Sequence, residues 1–143
     1  MRWVIASDHA GFALKERVRE WLQRKGFEVT DLGVHAPERA DYPDYGHAVG
    51  QAIGRGDFER GVVVCGSGIG ISIAVNRHPG ARAALCHEPY SAAMARAHND
   101  ANVLALGARV VGEGFAEATL EAFISGAFEG GRHADRVAKI DNP

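Results

Sequence analysis

A cysteine followed by a glycine-rich segment is the feature of this sequence with the clearest chemical potential. Cys65 closes an apolar run and is followed by Gly66, Ser67, Gly68, Ile69 and Gly70, which lead into a helical pattern. Glycines let backbone N–H groups turn inward, where they stabilise a phosphate or a developing oxyanion. A thiolate beside such amides and a helix N-terminus can act as a base. The segment predicts anion binding or proton abstraction, while a tight turn with Cys65 as a small buried residue stays open.

Other familiar chemistries do not fit this segment. The dinucleotide fingerprint needs glycine at its sixth place, where Ile71 stands, and the Gly-Lys-Ser/Thr of a P-loop is absent. No Cys-x-x-Cys pair is present to support thiol redox chemistry. Cys86 closes another apolar run without a glycine loop after it, and we interpret it as structural.

Two further polar groups could take part in a site. Asp8 and His9 follow the first apolar run, although Asp8 could equally cap the next helix. Arg132 and Arg136 are four residues apart, so one helical turn would place both guanidinium groups on a common face. Paired guanidiniums suit phosphate geometry, but a charged tail is ordinarily solvated.

Short apolar runs alternate with helical patterns along the whole chain. The predicted strands are Trp3–Ser7, Phe27–Leu32, Gly61–Cys65, Ala81–Cys86 and Asn102–Leu106. The predicted helices are Ala13–Lys25, Tyr45–Gly54, Ile71–Asn76, Pro89–Ala97 and Gly114–Ile124, followed by a polar tail from Gly130. This order predicts one α/β domain over residues 1–143, with a doubly wound, Rossmann-like parallel sheet.

The order of these elements separates two of the candidate groups. Ligands bind such sheets at the carboxyl ends of the strands, where Cys65 lies. His98 and Asn99 come just before the last strand and therefore belong to the opposite edge. If Cys65 and His98 act on one substrate, a neighbouring subunit must supply His98, which predicts a two-fold dimer with shared sites.

Composition excludes several classes of function. The net charge of −2 and the pI of about 6.4 give no general attraction to nucleic acid or to an anionic membrane. No signal peptide or long apolar span is evident, and each of the two cysteines ends an apolar run, so we expect a cytoplasmic protein without disulfides. The seven histidines include no His-x-His or His-x-x-x-His pair, and we expect no metal and no cofactor.

Six segments together resemble one protein family. They are Ser-Asp-His-Ala-Gly at 7–11, Asp-Tyr-Pro-Asp-Tyr at 41–45, Cys-Gly-Ser-Gly-Ile-Gly-Ile-Ser-Ile-Ala at 65–74, His-Glu-Pro-Tyr-Ser at 87–91, His-Asn-Asp-Ala-Asn-Val-Leu at 98–104 and Glu-Gly-Gly-Arg-His at 129–133. In this order, over nearly the whole chain, they are similar to the family of ribose-5-phosphate isomerase B and the galactose-6-phosphate isomerase subunits. The resemblance implies a five-stranded parallel α/β/α sandwich.

The resemblance also implies a reaction, the interconversion of ribose 5-phosphate and ribulose 5-phosphate through a cis-enediolate. Cys65 would be the base, and the loop has no acid of the kind that some relatives use instead. The N–H groups of residues 66–70 would hold the enediolate oxygen. His98 of a partner subunit would open the furanose ring with Asp8 as its counterpart, and Asn99 would hold substrate oxygens.

The remaining implied roles concern the phosphate and the pocket. His9, Arg132 and Arg136 resemble a phosphate clamp, and Tyr42 and Arg109 lie in stretches that match the pocket. Ser67, implied in the catalytic set, stands where many relatives have threonine and keeps the hydroxyl group.

Three alternatives stay open from the sequence. The substrate could be a six-carbon sugar phosphate, such as allose 6-phosphate or galactose 6-phosphate. The chain could be a non-catalytic sugar-phosphate-binding module, because the glycine loop and the arginines would serve binding equally well. The assembly could be a dimer or a tetramer.

Overall fold

The predicted alternation of strands and helices is present in the computed structural model, which describes residues 1–143. The strands are β1 (Arg2–Ser7), β2 (Glu28–Asp31), β3 (Arg60–Cys65), β4 (Ala83–Leu85) and β5 (Val103–Gly107). The helices are α1 (Phe12–Arg24), α2 (Tyr42–Gly54), α3 (Ile69–Val75), α4 (Pro89–Asn99), α5 (Glu113–Ser125) and α6 (Arg132–Asp141). None of these helices has the length and apolar character needed to span a membrane.

The sheet is parallel throughout, with the strand order β2-β1-β3-β5-β4. After β2 the chain crosses back over β1 to form β3, so the direction of winding reverses between β1 and β3. Crevices that bind ligands form outside the carboxyl ends of strands at such a reversal. Asp8 and the Cys65 loop follow these two strands, so the topology brings the two predicted polar segments to one crevice.

Two apolar clusters cover the two faces of the sheet. One buries 18 residues, including Trp3 and Phe123, between the sheet and helices α1, α4 and α5. The other buries 11 residues, including Val49 and Ile71, between the sheet and helices α2 and α3. Strands covered on both faces must be apolar on both faces, which explains the continuous run of valines in β3. The predicted three-layer α/β/α sandwich is confirmed.

A buried ion pair supports the end of β1. The side chain of Lys15 is fully buried, and its ammonium group donates hydrogen bonds of 2.7 and 2.6 Å to the Asp31 carboxylate. Asp31 also accepts the N–H of Gly33, and the Gly33 carbonyl accepts the N–H of Ser7 at 2.8 Å. Helix α1 is thereby tied to the turn that leads from β1 into the crevice.

The structure differs from the sequence prediction at the C-terminal tail and at the sheet edge. The polar tail forms helix α6, which buries His133 and Val137, four residues apart, against α4. Ala134, Val137 and Ala138 recur at helical spacing, but the many charged residues of the segment favoured a solvated tail. Strand β4 is three residues long instead of six, because it lies at the edge and the N–H of Ala81 bonds locally to the His78 carbonyl.

Candidate active site

The sulfur of Cys65 lies at the carboxyl end of β3 and faces the glycine loop. Cys65 is 4% exposed, and its Sγ accepts the N–H of Gly68 at 3.2 Å. Gly68 adopts φ +78°, and a Cβ there would lie 2.6 Å from the side chain of Leu85 and 2.8 Å from the backbone of Leu106. Only glycine fits this turn, which directs an amide at the sulfur. An N–H donor is a favourable neighbour for a negatively charged sulfur.

The loop amides divide into two groups. The N–H of Gly68 donates to Sγ of Cys65, and the N–H of Ile69 donates to the Ser67 hydroxyl at 3.2 Å. The N–H groups of Gly66, Ser67 and Gly70 make no hydrogen bond within the protein. We predicted that all five amides would hold an oxyanion. The structure leaves three of them free, because the tight turn at Gly68 directs the other two to side chains.

Arg109 and Tyr42 border the loop on either side. The backbone N–H of Arg109 donates to the Gly66 carbonyl at 3.0 Å. The guanidinium Nη1 of Arg109 lies 3.3 Å from the position that a Cβ on Gly66 would occupy. The ring of Tyr42 occupies the space that a Gly70 side chain would need. Both residues, which the sequence placed in the pocket, therefore lie against the glycine loop and give it a cation and a phenol.

Asp8 and His9 form the β1 side of the same crevice. Asp8 is 6% exposed, and its Oδ1 accepts the N–H of Gly11 at 3.0 Å, so it does have a capping role. Its own N–H reaches the carbonyl of Val64, the residue before Cys65. The His9 ring is exposed and its Nδ1 lies 3.2 Å from the backbone of Ala40, which leaves Nε2 available to a ligand.

His87 is a site residue that the sequence analysis did not single out. It follows β4, and its Nε2 accepts the N–H of Gly107 at 2.8 Å. Because a backbone N–H can only donate, Nε2 carries no proton and the neutral ring holds its proton on Nδ1. A Cβ on Gly107 would lie 2.5 Å from the carbonyl oxygen of Ser67, so Gly107 supports the loop directly. His87 lies in one of the matched segments, but its spacing alone indicated no role.

His98 and Asn99 lie at the opposite edge of the sheet, as predicted. Cys65 lies beside Gly107 at the carboxyl end of β5, and β5 begins at Val103, which lies beside Gly61. Helix α4 ends just before that start, so the length of β5, roughly 13 Å for four strand steps, separates His98 from the Cys65 loop. One chain cannot bring both side chains to the same substrate.

Helix α6 lies at this second edge and carries its own charged groups. Asp141 at its end pairs with Arg82, which precedes β4, at 3.2 Å. Arg132 and Arg136 are exposed on α6 and form no ion pair within the chain. The expected phosphate clamp is therefore divided within one chain, since His9 lies at the first edge and the two arginines lie at the second.

His98 forms a cluster with His133 and Glu129. The rings of His98 and His133 stack with centroids 4.2 Å apart and planes within 9° of parallel. Oε1 of Glu129 lies 3.9 Å from Nε2 of His98 and 3.6 Å from Nε2 of His133. Histidine spacing along the sequence missed this cluster because its members come from different elements. A metal ion must lie near the plane of each imidazole that binds it, and stacked parallel rings do not direct their lone pairs at one point. We therefore do not assign the cluster as a metal site.

Apolar side chains and a cavity flank these two edges. Ile69 and Ile73 on α3 are 52% and 58% exposed, and Leu85 on the edge strand is 38% exposed. A cavity of about 490 Å³ lies between the ends of α3, α4 and α6, with Asn99 and Ile140 among its lining residues. Exposed apolar side chains beside an open concave surface are characteristic of a protein interface.

The fold and the crevice define a class of protein. It is a doubly wound α/β protein in which a thiol, three free backbone amides and a guanidinium lie together at the carboxyl end of β3. Residues 3–140 match the model of the Ribose/Galactose Isomerase family. The chain belongs to this family and is an aldose–ketose isomerase.

Relatives and solved structures agree with this assignment. The chain is 47% identical over 133 residues to ribose-5-phosphate isomerase B of Escherichia coli, covering 93% of this chain and 89% of that protein. It is 43% identical over 137 residues to D-erythrulose-4-phosphate isomerase of Pectobacterium atrosepticum, covering 95% and 90%. The structure of ribose-5-phosphate isomerase B from Clostridium thermocellum superposes with a TM-score of 0.97, at 50% identity, covering 99% of this chain and 95% of that one. The Mycoplasma genitalium enzyme with bound ribulose-5-phosphate has a TM-score of 0.94, at 39% identity, covering 98% and 93%.

Proposed function

We propose that this protein interconverts ribose 5-phosphate and ribulose 5-phosphate through a cis-enediolate, with Cys65 as the base. The observation that carries the proposal is the sulfur of Cys65 at the carboxyl end of β3, in a loop with three backbone amides that have no protein acceptor. Relatives at 47% and 50% identity are named as ribose-5-phosphate isomerases, which supports this choice of substrate. The two free cysteines fit a reducing cytoplasm.

The chemical step moves one proton between neighbouring carbons. The thiolate of Cys65 takes the proton from C2 of the open-chain aldose, and the C2–H electron pair forms the enediolate as charge develops on the C1 oxygen. The N–H groups of Gly66, Ser67 and Gly70 stabilise that charge, supported by the guanidinium of Arg109. The thiol then returns a proton to C1, and the proton of the C2 hydroxyl passes to the C1 oxygen, so that C2 becomes the ketone and C1 the alcohol. The proton on sulfur can exchange with water before it returns. No proton or electron is gained or lost in the overall reaction.

A complete site in this proposal needs two copies of the chain. One subunit provides Cys65, Asp8 and His9, and its partner provides His98 and Asn99 for ring opening together with the arginines of α6 for the phosphate. The exposed apolar residues of α3 and β4 and the open cavity lined by Asn99 support an interface that joins these surfaces. A dimer is the smallest assembly that meets this need, and a tetramer would be a pair of such dimers.

The substrate's chain length is a separate question. One relative at 43% identity is named for a four-carbon substrate, so family membership does not determine the length of the sugar. We expect ribose 5-phosphate to have the highest kcat/KM in a panel of four-, five- and six-carbon aldose phosphates that includes allose 6-phosphate and galactose 6-phosphate. A clear preference for a six-carbon member would overturn this choice of substrate without affecting the mechanism.

Removal of the Cys65 thiol tests the proposal. Cys65→Ala should lower kcat by about 10²–10⁴-fold, the usual contribution of a general base, with a smaller change in KM. The variant should also lose the exchange of the C1 proton of ribulose 5-phosphate with deuterated water, which a non-catalytic binding module cannot catalyse. Cys86→Ala is the matched control and should retain both activities. Near-normal turnover by Cys65→Ala would contradict the mechanism.

A further inference from the structure

The ring of His98 lies on a fixed aromatic surface. His133 comes from the first turn of α6, and it is 6% exposed, whereas the side chain of His98 at the end of α4 is 38% exposed. The two rings stack at 4.2 Å with planes within 9° of parallel. One ring is thus held in the protein while the other presents its free face and edge outward. This arrangement limits rotation of the outer ring.

Glu129 places a carboxylate beside both rings. Its backbone N–H donates to the carbonyl of Ala97 at 3.0 Å, which ties it to the residue before His98. A single oxygen, Oε1, lies 3.9 Å from Nε2 of His98 and 3.6 Å from Nε2 of His133. These distances are within ion-pair range and longer than a hydrogen bond. The carboxylate therefore acts on the rings mainly through its charge.

We infer that His133 and Glu129 are positioning residues that hold His98 for the ring-opening step. This inference rests on the proposed function, in which His98 acts in the site of the partner subunit. In that step the C1–O4 bond of the furanose breaks and its electron pair goes to O4, which takes a proton. The C1 hydroxyl loses a proton as it becomes the carbonyl. His98 carries one of these protons and is positively charged at one end of the transfer. His133 fixes the plane of its ring, and Glu129 supplies the opposite charge.

The charges around His133 are consistent with a neutral supporting ring and a single counter-charge from Glu129. Burial has the largest effect and lowers the pKa of His133, and the nearby His98 and Arg132 lower it further. Glu129 raises this pKa by less, and Arg136 has the smallest effect, which lowers it. The inner ring is therefore neutral and does not place a second positive charge against His98. The carboxylate of Glu129 then acts as the counter-charge of a single imidazolium.

Packing alone does not account for these contacts. Helix α6 is also held by the buried Val137 and by the ion pair of Asp141 with Arg82. The side chain of Glu129 is 58% exposed, so its carboxylate adds little to the fold. Loss of that carboxylate should consequently alter the reaction without altering stability.

Two reactions separate ring opening from proton transfer. Ribose 5-phosphate is mainly a furanose and must be opened, whereas ribulose 5-phosphate cannot close a furanose because its C5 oxygen carries the phosphate. Exchange of the C1 proton of ribulose 5-phosphate with deuterated water therefore needs the Cys65 step alone. His98→Ala sets the scale, since it should slow isomerisation of ribose 5-phosphate far more than the exchange.

The positioning variants should reproduce this split to a smaller degree. Glu129→Gln should lower kcat on ribose 5-phosphate by about twofold to fivefold, as expected for an exposed charge, and leave the exchange rate unchanged. His133→Ala should lower kcat by about tenfold to a hundredfold, and His133→Phe, which keeps a flat face, should recover part of this loss. Glu117→Gln, an exposed neutralisation on α5, is the matched control and should change neither rate.

The outcomes distinguish the inference from the proposal beneath it. If His98→Ala slows both reactions equally, the ring-opening role of His98 is wrong. If His98→Ala shows the split but Glu129→Gln and His133→Ala do not, the positioning inference is wrong and the proposed function stands. Equal losses of both reactions in His133→Ala, with no recovery in His133→Phe, would assign His133 to the fold alone.

Discussion

At the scale of the residue, position decides the chemistry of the two cysteines. Both cysteines are 4% exposed and each packs in one of the two apolar clusters, but only the sulfur of Cys65 accepts a backbone N–H, that of Gly68. Burial, with a smaller effect of Glu88, raises the pKa of Cys86 to about 11 from its usual value of 9.0. The structure thus agrees with the interpretation of Cys86 as structural.

The raised pKa of Cys86 predicts a loss of stability at alkaline pH. Between about pH 9 and pH 11 the thiol ionises in the unfolded chain but stays protonated in the folded one. The unfolded state then binds fewer protons, so the free energy of unfolding falls as pH rises through this window. Between pH 8.5 and pH 11, the free energy of unfolding measured in urea titrations should fall by about 2 kcal/mol less for Cys86→Ala than for the natural chain. Parallel curves for the two proteins would contradict the assignment.

At the scale of the element, strands predicted from sequence correctly located the crevice, because apolar runs and glycine breaks are local signals. The reversal between β1 and β3 then brings Asp8 and Cys65 together. Pairings between elements distant in the chain were not predictable. The stack of His98 on His133 depends on α6 docking against α4, and its two members are 35 residues apart in the sequence. Nor could spacing show that the N–H of Gly68 donates to sulfur.

His87 predicts how β4 and β5 support the loop. His87→Ala leaves the N–H of Gly107 without an acceptor, which costs about 1–3 kcal/mol if the group stays buried. Gly107 packs against the carbonyl of Ser67. We therefore expect the loop to shift and kcat to fall by about tenfold, with a smaller change in KM. His87→Gln provides an amide oxygen as acceptor and should recover part of kcat. A normal kcat for His87→Ala, or no recovery with His87→Gln, would rule out this support.

At the scale of the whole molecule, the division of site residues between two edges of one sheet is the strongest constraint on assembly. The length of β5 separates the Cys65 loop from the edge that carries His98 and the arginines. In the proposed function, each chain would therefore hold half of one site and half of another. Two inactive chains with different lesions should consequently form one active site between them.

Mixing Cys65→Ala with His98→Ala chains tests this constraint directly. After unfolding and refolding together in equal amounts, half of the dimers contain one chain of each kind, and one of the two sites in such a dimer is intact. Activity should therefore rise to about a quarter of that of the natural chain, although each variant alone is nearly inactive. The double variant mixed equally with the natural chain gives the complementary result, because every mixed dimer is then inactive. Dilution alone would leave half of the natural activity, and the inactive mixed dimers should lower it to about a quarter. If Cys65 and His98 of one chain formed a site together, the first mixture would gain nothing and the second would show dilution alone.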